Sequence, residues 1–273
     1  MPAILLYAAA SLFYAILAFH FWRTRWRGAS APRLARLERA AILAPFALHT
    51  WIVYDMLWAQ SELHFGFGQA LSVMLWLAVL IYWIESRFLE LEGMQAPVLA
   101  LAAVCAPLPA LFPGLVGAPY THSTEFRLHL ALAMVAYGMF TIAALHALLM
   151  TLMERRLHGG ALVGPLAALP PLLTMEKLLF QIILAGFVFL TLTLATGIAF
   201  SETLFGRAMK FDHKTVFAVA SWLIFAALLA GRYLYGWRGR VALRWTLVGF
   251  VALLLAYVGS RFVLEVILRR GLV

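Results

Sequence analysis

The sequence predicts an all-α membrane protein, a polytopic helical bundle of eight transmembrane helices with both termini on the periplasmic side, and three observations lead there. Apolar residues make up 64% of the 273, whereas charged residues make up only 12%, roughly half of what a soluble domain carries. The apolar residues gather into eight runs, each about as long as the ~20 residues that cross a hydrocarbon core. The basic residues give a net charge of +9 but sit in short loops between those runs. A basic stripe would suggest nucleic acid; basic loops reflect membrane topology, and we expect no nucleic-acid partner.

The runs cover residues 3–22, 39–58, 67–85, 95–112, 128–152, 177–200, 214–235 and 243–268, and they form one integral membrane domain over 1–273. The first, Pro2 to Trp22, has no basic n-region and no clear small-residue cleavage site, so it reads as a retained helix. The second follows a loop rich in arginine. The fourth contains Pro97, Pro107 and Pro109 and is expected as a kinked span, because neighbours can satisfy the carbonyls that proline frees. The longest connection, 153–176, carries Gly159-Gly160 and Pro170-Pro171 and reads as a loop. Cys105 is the single cysteine, which rules out a disulfide framework, a CxxC pair and a thiolate cage.

Orientation follows from lysine and arginine. Fourteen of the 21 fall at one end: Arg23, Arg25, Arg27, Arg33, Arg36, Arg39, Arg87, Arg155, Arg156, Lys177, Arg232, Arg238, Arg240 and Arg244. The other seven are Arg127, Arg207, Lys210, Lys214, Arg261, Arg269 and Arg270. The positive-inside rule turns the first group to the cytoplasm and both termini outward. The expected location is the bacterial inner membrane, with the lipid bilayer itself as a partner.

Ionisable groups at membrane depth are costly and so are candidate functional groups. His49 lies midway along the second run, His64 just outside it, His122 before the fifth, and His129 and His213 at the outer ends of the fifth and seventh. His20, His146 and His158 lie towards the cytoplasm. His146 is ~25 Å along the helix from His129, too far to share a site. For His20, His64, His122 and His158 the ordinary explanation is an interfacial residue or a helix-to-helix hydrogen bond; His49, inside an apolar run, has fewer such explanations. Zinc fits poorly, since there is no HExxH and no paired-cysteine spacing. Two imidazoles from different helices suit the two axial positions of an iron porphyrin. Trp51, Trp58, Phe211, Phe217 and Trp222 offer apolar walls, although aromatic belts are also routine at membrane interfaces.

Two stretches resemble the cytochrome c assembly family of membrane heme-handling proteins, the CcsA and CcmC types, and are closest to its short YpjD/HemX-like branch. One runs Phe126-Arg127-Leu128-His129 through Ala136-Tyr137-Gly138 to Ala143-Ala144-Leu145. The other runs Phe211-Asp212-His213-Lys214-Thr215 through Ser221-Trp222 to Gly236-Trp237-Arg238-Gly239. Pro170-Pro171-Leu172-Leu173-Thr174-Met175-Glu176 and Ser260-Arg261-Phe262 also look like the short branch. The tryptophan-rich loop of larger members is reduced to Leu204 through Asp212, and a histidine they carry falls on Ala230.

The resemblance implies a non-enzymatic protein that binds heme b on its outer side and serves cytochrome c biogenesis or heme handling. His129 carries the family's motif histidine. His213 is expected as the second axial ligand and His49 as an alternative one. Asp212 would cap the seventh helix and so orient His213; Phe211, Phe217 and Trp222 would wall the porphyrin. Implied partners are heme and either cytochrome c assembly components or a heme-synthesis enzyme. Alternatives are a HemX-like regulatory scaffold for such an enzyme, and a transporter of another solute, which would need a polar path at the midplane. A cytochrome b-type redox enzyme would want stacked histidine pairs, which are absent.

Overall fold

A computed structural model describes residues 2–27, 35–59, 63–89, 91, 93–114, 123–158, 170–205 and 212–268. Every expected run is helical within them: α1 Ile4–Trp26, α2 Arg36–Ala59, α3 Phe67–Glu85, α4 Gln95–Leu111, α5 Thr124–Arg155, α6 Leu172–Phe200, α7 His213–Tyr235 and α8 Arg240–Ile267. Seven of these are long and apolar enough to cross a membrane, and α4 is the shorter one. In hydrocarbon every backbone N–H and C=O must be satisfied within its own segment, so apolar runs of this length become helices whatever their local propensity.

The fourth run departs from a continuous span, and its prolines explain why. Pro97 falls in the first turn of α4, where a missing N–H has no intrahelical partner to lose. Pro107 falls inside the run, and the helix stops at Cys105 and restarts at Leu108. The two pieces together reach only ~25 Å, short of a ~30 Å hydrocarbon core. The turns around Pro107 and Phe112 pack on the start of α3, where Gln69 Nε2 donates to the Phe112 carbonyl at 3.1 Å.

Chain neighbours pack together in two groups. In the first, α1 lies on α2 and α4, and α3 lies on α2 and α4; in the second, α5 lies on α6 and α8, and α7 on α6 and α8. The groups meet where α3 packs on α5. Leu77 sits so close to Gly138 that a Cβ there would come within 2.7 Å of the leucine Cβ. Small residues at such crossings let backbones approach, and hydroxyls and amides then bond across them. Ser11 Oγ donates to the Ala103 carbonyl at 2.7 Å, Trp76 Nε1 to Thr50 Oγ1 at 2.8 Å, and Ser221 Oγ to the Gly249 carbonyl at 2.9 Å.

At the end that carries most of the arginines, called the inner end from here on, each buried acid is paired. Glu38 takes both His20 and Arg25. Glu85 Oε2 lies 3.1 Å from His146 Nε2, with the histidine fully buried. Glu176 accepts from Arg232 at 2.6 Å and from the Gly239 backbone at 3.2 Å.

Candidate functional site

The outer end of α5–α8 is where the expected site residues must meet, and helix register tests whether they do. Helices α5 and α7 run in the same sense, with α6 antiparallel to both. On α6, Thr196 meets His129 while Gly186 meets Phe140, which fixes the register with α5. Glu176 meets Arg232 while Phe187 stacks on Trp222, which fixes it with α7. Phe140 and Phe225 also stack directly, with ring centroids 3.8 Å apart. Counting outward from that stack, His129 lies ~16 Å away on α5 and His213 ~18 Å away on α7. The two histidines therefore share one level of the bundle, beside the Thr196 end of α6.

Their surroundings differ. His129 is part-buried, and its Nδ1 lies 3.0 Å from Thr196 Oγ1. The threonine hydroxyl lies within donating reach of the Leu192 carbonyl at 2.8 Å and of the Thr193 carbonyl at 3.1 Å. With the hydroxyl turned to either carbonyl it accepts from Nδ1–H, and Nε2 keeps its lone pair. A ligating imidazole is usually fixed in this way, through its second nitrogen. Gly197 makes room for the ring; a Cβ there would stand 3.2 Å from His129 Cε1.

His213 is exposed at the first position of α7. Asp212 caps that helix as expected, in extended backbone and accepting the Thr215 N–H at 3.0 Å. Burial alone would raise the Asp212 carboxyl, but the Thr215 hydrogen bonds and the nearby Lys214 and His213 outweigh it and hold the group below its ordinary value.

The other expected residues fall elsewhere. Trp222 does face α6, donating from Nε1 to Thr191 Oγ1 at 2.9 Å and stacking on Phe187. Nine residues separate it from His213, which places the two ~180° apart around α7 and ~13 Å apart in depth. Phe217, half-buried, stands between them in depth. Phe211 and His122 lie outside the described residues.

His49 belongs to the other group of helices. It is fully buried, its Nε2 lies 2.9 Å from Ser72 Oγ, and the Tyr14 ring meets it edge-on at 5.7 Å. Ser72 is ~140° around α3 from Leu77, the residue that touches α5. The α3 backbone thus stands between His49 and His129, and the structure does not bring the two together.

Sequence reading used two cations at the outer end for orientation alone and gave them no place in the site. Lys214, one residue after His213, lies near Arg261 of α8. The Arg261 guanidinium packs over the Tyr257 ring at 5.6 Å, and its buried Nε has no hydrogen-bond partner among the described residues. Asp212 faces Lys214 and Glu265 faces Arg261 as well, so the cluster holds two cations and two carboxylates, and the unsatisfied buried Nε is the donor left for an anionic ligand. The Ser260-Arg261-Phe262 resemblance was the available signal. Tyr137 was also visible as a motif residue but not in its role: its hydroxyl donates to the Leu253 carbonyl at 2.6 Å, tying α5 to α8 just before the π-helical turn Leu255–Gly259.

Over 139 residues the chain is 37% identical to the inner membrane protein YpjD of Escherichia coli strain K12, an alignment covering 51% of this chain and 52% of that protein. The chain thus spans about half the length of this relative. It is 29% identical over 225 residues to a 28.8 kDa protein from the nifR3-like 5′ region of Azospirillum brasilense, covering 77% of this chain and 81% of that one. The cytochrome c biogenesis protein CcsA of Prochlorococcus marinus strain MIT 9515 is 38% identical over 88 residues, 32% of this chain and 28% of CcsA. The model of the cytochrome C assembly protein family matches residues 34–268, from the start of α2 to the end of α8, and the chain belongs to that family.

Proposed function

We propose that the outer end of α5–α8 binds heme b, in a protein that serves cytochrome c biogenesis or heme handling in the bacterial inner membrane. The observation that carries this reading is His129 itself, part-buried and engaged through Nδ1 by Thr196 at the outer level of the bundle, which supports Nε2 as the ligating nitrogen. His213, exposed at the same level, would be the second histidine to hold the iron, and Asp212 caps the helix start that bears it. Lys214 and Arg261 take the propionates. Phe217 adds apolar wall; Trp222 acts deeper, by setting how α7 packs on α6. Heme would supply a redox-active iron. The chain's own contributions are to orient the ligands, neutralise the carboxylates and keep the ring in an apolar setting.

A solute-transport reading needs a polar path at the midplane. The buried serine and threonine hydroxyls there are each engaged: Thr141 with the Tyr137 carbonyl, Thr246 with the Ala242 carbonyl, Ser221 with Gly249, and Ser72 with His49. The Tyr14 hydroxyl has no hydrogen-bond partner among the described residues, and one group makes no path. That leaves the heme reading better supported.

An absorption spectrum of the purified protein, as isolated and after dithionite, tests it. The expected outcome is a Soret band that shifts on reduction, with a paired-histidine α/β pattern. Protein that takes up no heme under saturating supply would overturn the proposal.

A further inference from the structure

A second site lies at the inner end, between the last turn of α5 and the first turns of α8. A cavity of about 370 Å³ opens there, lined by Thr151, Glu154 and Arg155 of α5 and by Arg240, Leu243, Arg244 and Leu247 of α8. These positions repeat at three and four residues, so each helix turns one face to the cavity. Glu154 engages Arg240, with Oε1 2.8 Å from the arginine Nε. Arg155 and Arg244 are exposed and enter no ion pair or hydrogen bond among the described residues. The cavity thus carries three guanidinium groups against one carboxylate.

Deeper along the two helices, exposed apolar side chains stand next to the cavity's faces: Leu148 on α5, and Val248 and Val251 on α8. Beside it, Trp237 and Trp245 pack together at 5.2 Å, in the way tryptophans gather at the headgroup level of a bilayer. Charge at that level with an apolar track beneath it matches one ligand chemistry, a phosphate diester bearing acyl chains. A free anion would use the arginines and leave the track bare.

We infer that this cavity binds the headgroup of an anionic phospholipid, with Arg155 and Arg244 forking onto the phosphate and Leu243 and Leu247 flanking the first acyl carbons. Paired N–H donors of guanidinium match phosphate oxygens, and basic pockets between membrane helices bind such headgroups. The inference stands apart from the heme reading, since neither histidine ligand nor the outer cations take part.

Native mass spectrometry of the full-length protein released from detergent tests it, with phosphatidylglycerol and chain-matched phosphatidylcholine as probes. Phosphatidylglycerol should be retained preferentially by the wild type. The double variant Arg155→Gln/Arg244→Gln should bind it about 30-fold more weakly, whereas Arg155→Lys/Arg244→Lys, which keeps the charge but loses the paired donors, should fall between that variant and the wild type. Arg87→Gln, which alters an arginine stacked over Trp83 at 4.8 Å on α3, should change nothing. Equal retention of the two lipids by the wild type would overturn the inference without recourse to any variant. So would unchanged retention in a glutamine variant that melts like the wild type. Inorganic phosphate binding as tightly as phosphatidylglycerol would assign the cavity to a free anion and overturn the lipid.

Discussion

At the residue scale the chemistry turns on which nitrogen of each histidine is free. His129 engages Thr196 through Nδ1, which leaves Nε2 outside that contact; His49 engages Ser72 through Nε2, and its buried Nδ1 has no hydrogen-bond partner among the described residues. His129→Ala and His213→Ala should each lower heme retention several-fold or change the axial-ligand signature in the reduced spectrum. His49→Ala should leave both unchanged, and a spectral change there would move the iron to the first group of helices. His146→Ala separates stability from heme. It strips the buried Glu85 carboxylate of its partner, and removing one member of a buried pair costs about 3–5 kcal/mol. A sharply lower melting temperature with an unaltered heme spectrum is therefore expected. Because a ligating imidazole must be neutral, acidification should release heme from the wild type.

At the element scale, the helices were legible because a long apolar run is the strongest signal a sequence carries. Depth was legible too, since counting along a helix gives it: His129 and His213 were expected at one level and lie there. Facing between helices was not. Trp222 was offered as a porphyrin wall with His213, although their nine-residue spacing already sets them on opposite sides of α7; His49 was offered as a partner for His129, and only the packing shows that α3 lies between them. A helix in lipid shows apolar residues all round, so periodicity does not mark which face meets a neighbour. Thr196, Lys214 and Arg261 acquire their roles only from packing. Capping, by contrast, is local, and Asp212 was read correctly. Asp212→Ala should weaken the start of α7 by about 0.5–1 kcal/mol. Its carboxyl titrates below the ordinary value, so the cap's contribution is complete above ~4, the usual aspartate range, and is lost as pH falls through the lowered value. Amide protection at Thr215 should drop only under those acid conditions, and Asp212→Asn should remove the dependence. Tyr137→Phe, which leaves the Leu253 carbonyl without its cross-helix donor, should cost about 1–3 kcal/mol with no spectral change.

At the scale of the whole molecule, the two ends of the bundle are chemically distinct, and their difference yields a topology prediction. The inner end has the paired acids, the arginine-rich loops and the basic cavity between α5 and α8. The outer end has His129, His213, Asp212 and the Lys214–Arg261 pair. Eight segments return the chain to the side from which it started, but the fourth is broken at Pro107 and too short to cross unaided. If it nonetheless crosses, residues 23–38, 86–94, 153–176 and 236–242 are cytoplasmic and a reporter fused after Val273 is periplasmic. A phosphatase fusion there should be active and a fluorescent-protein fusion dark. Had α4 merely dipped into one leaflet, the four later helices would be inverted and the Arg155–Arg244 end would face the periplasm. The basic residues after α4 divide seven to seven between the two ends, so charge does not choose, whereas the Glu85–His146 pair at one end and the Gln69–Phe112 contact at the other oppose the inversion. The decisive control is a second fusion in the 86–94 connection, upstream of α4. Reporters at 86–94 and after Val273 that fall on the same side would show that α4 does not cross, and would place the histidine end of α5–α8 in the cytoplasm.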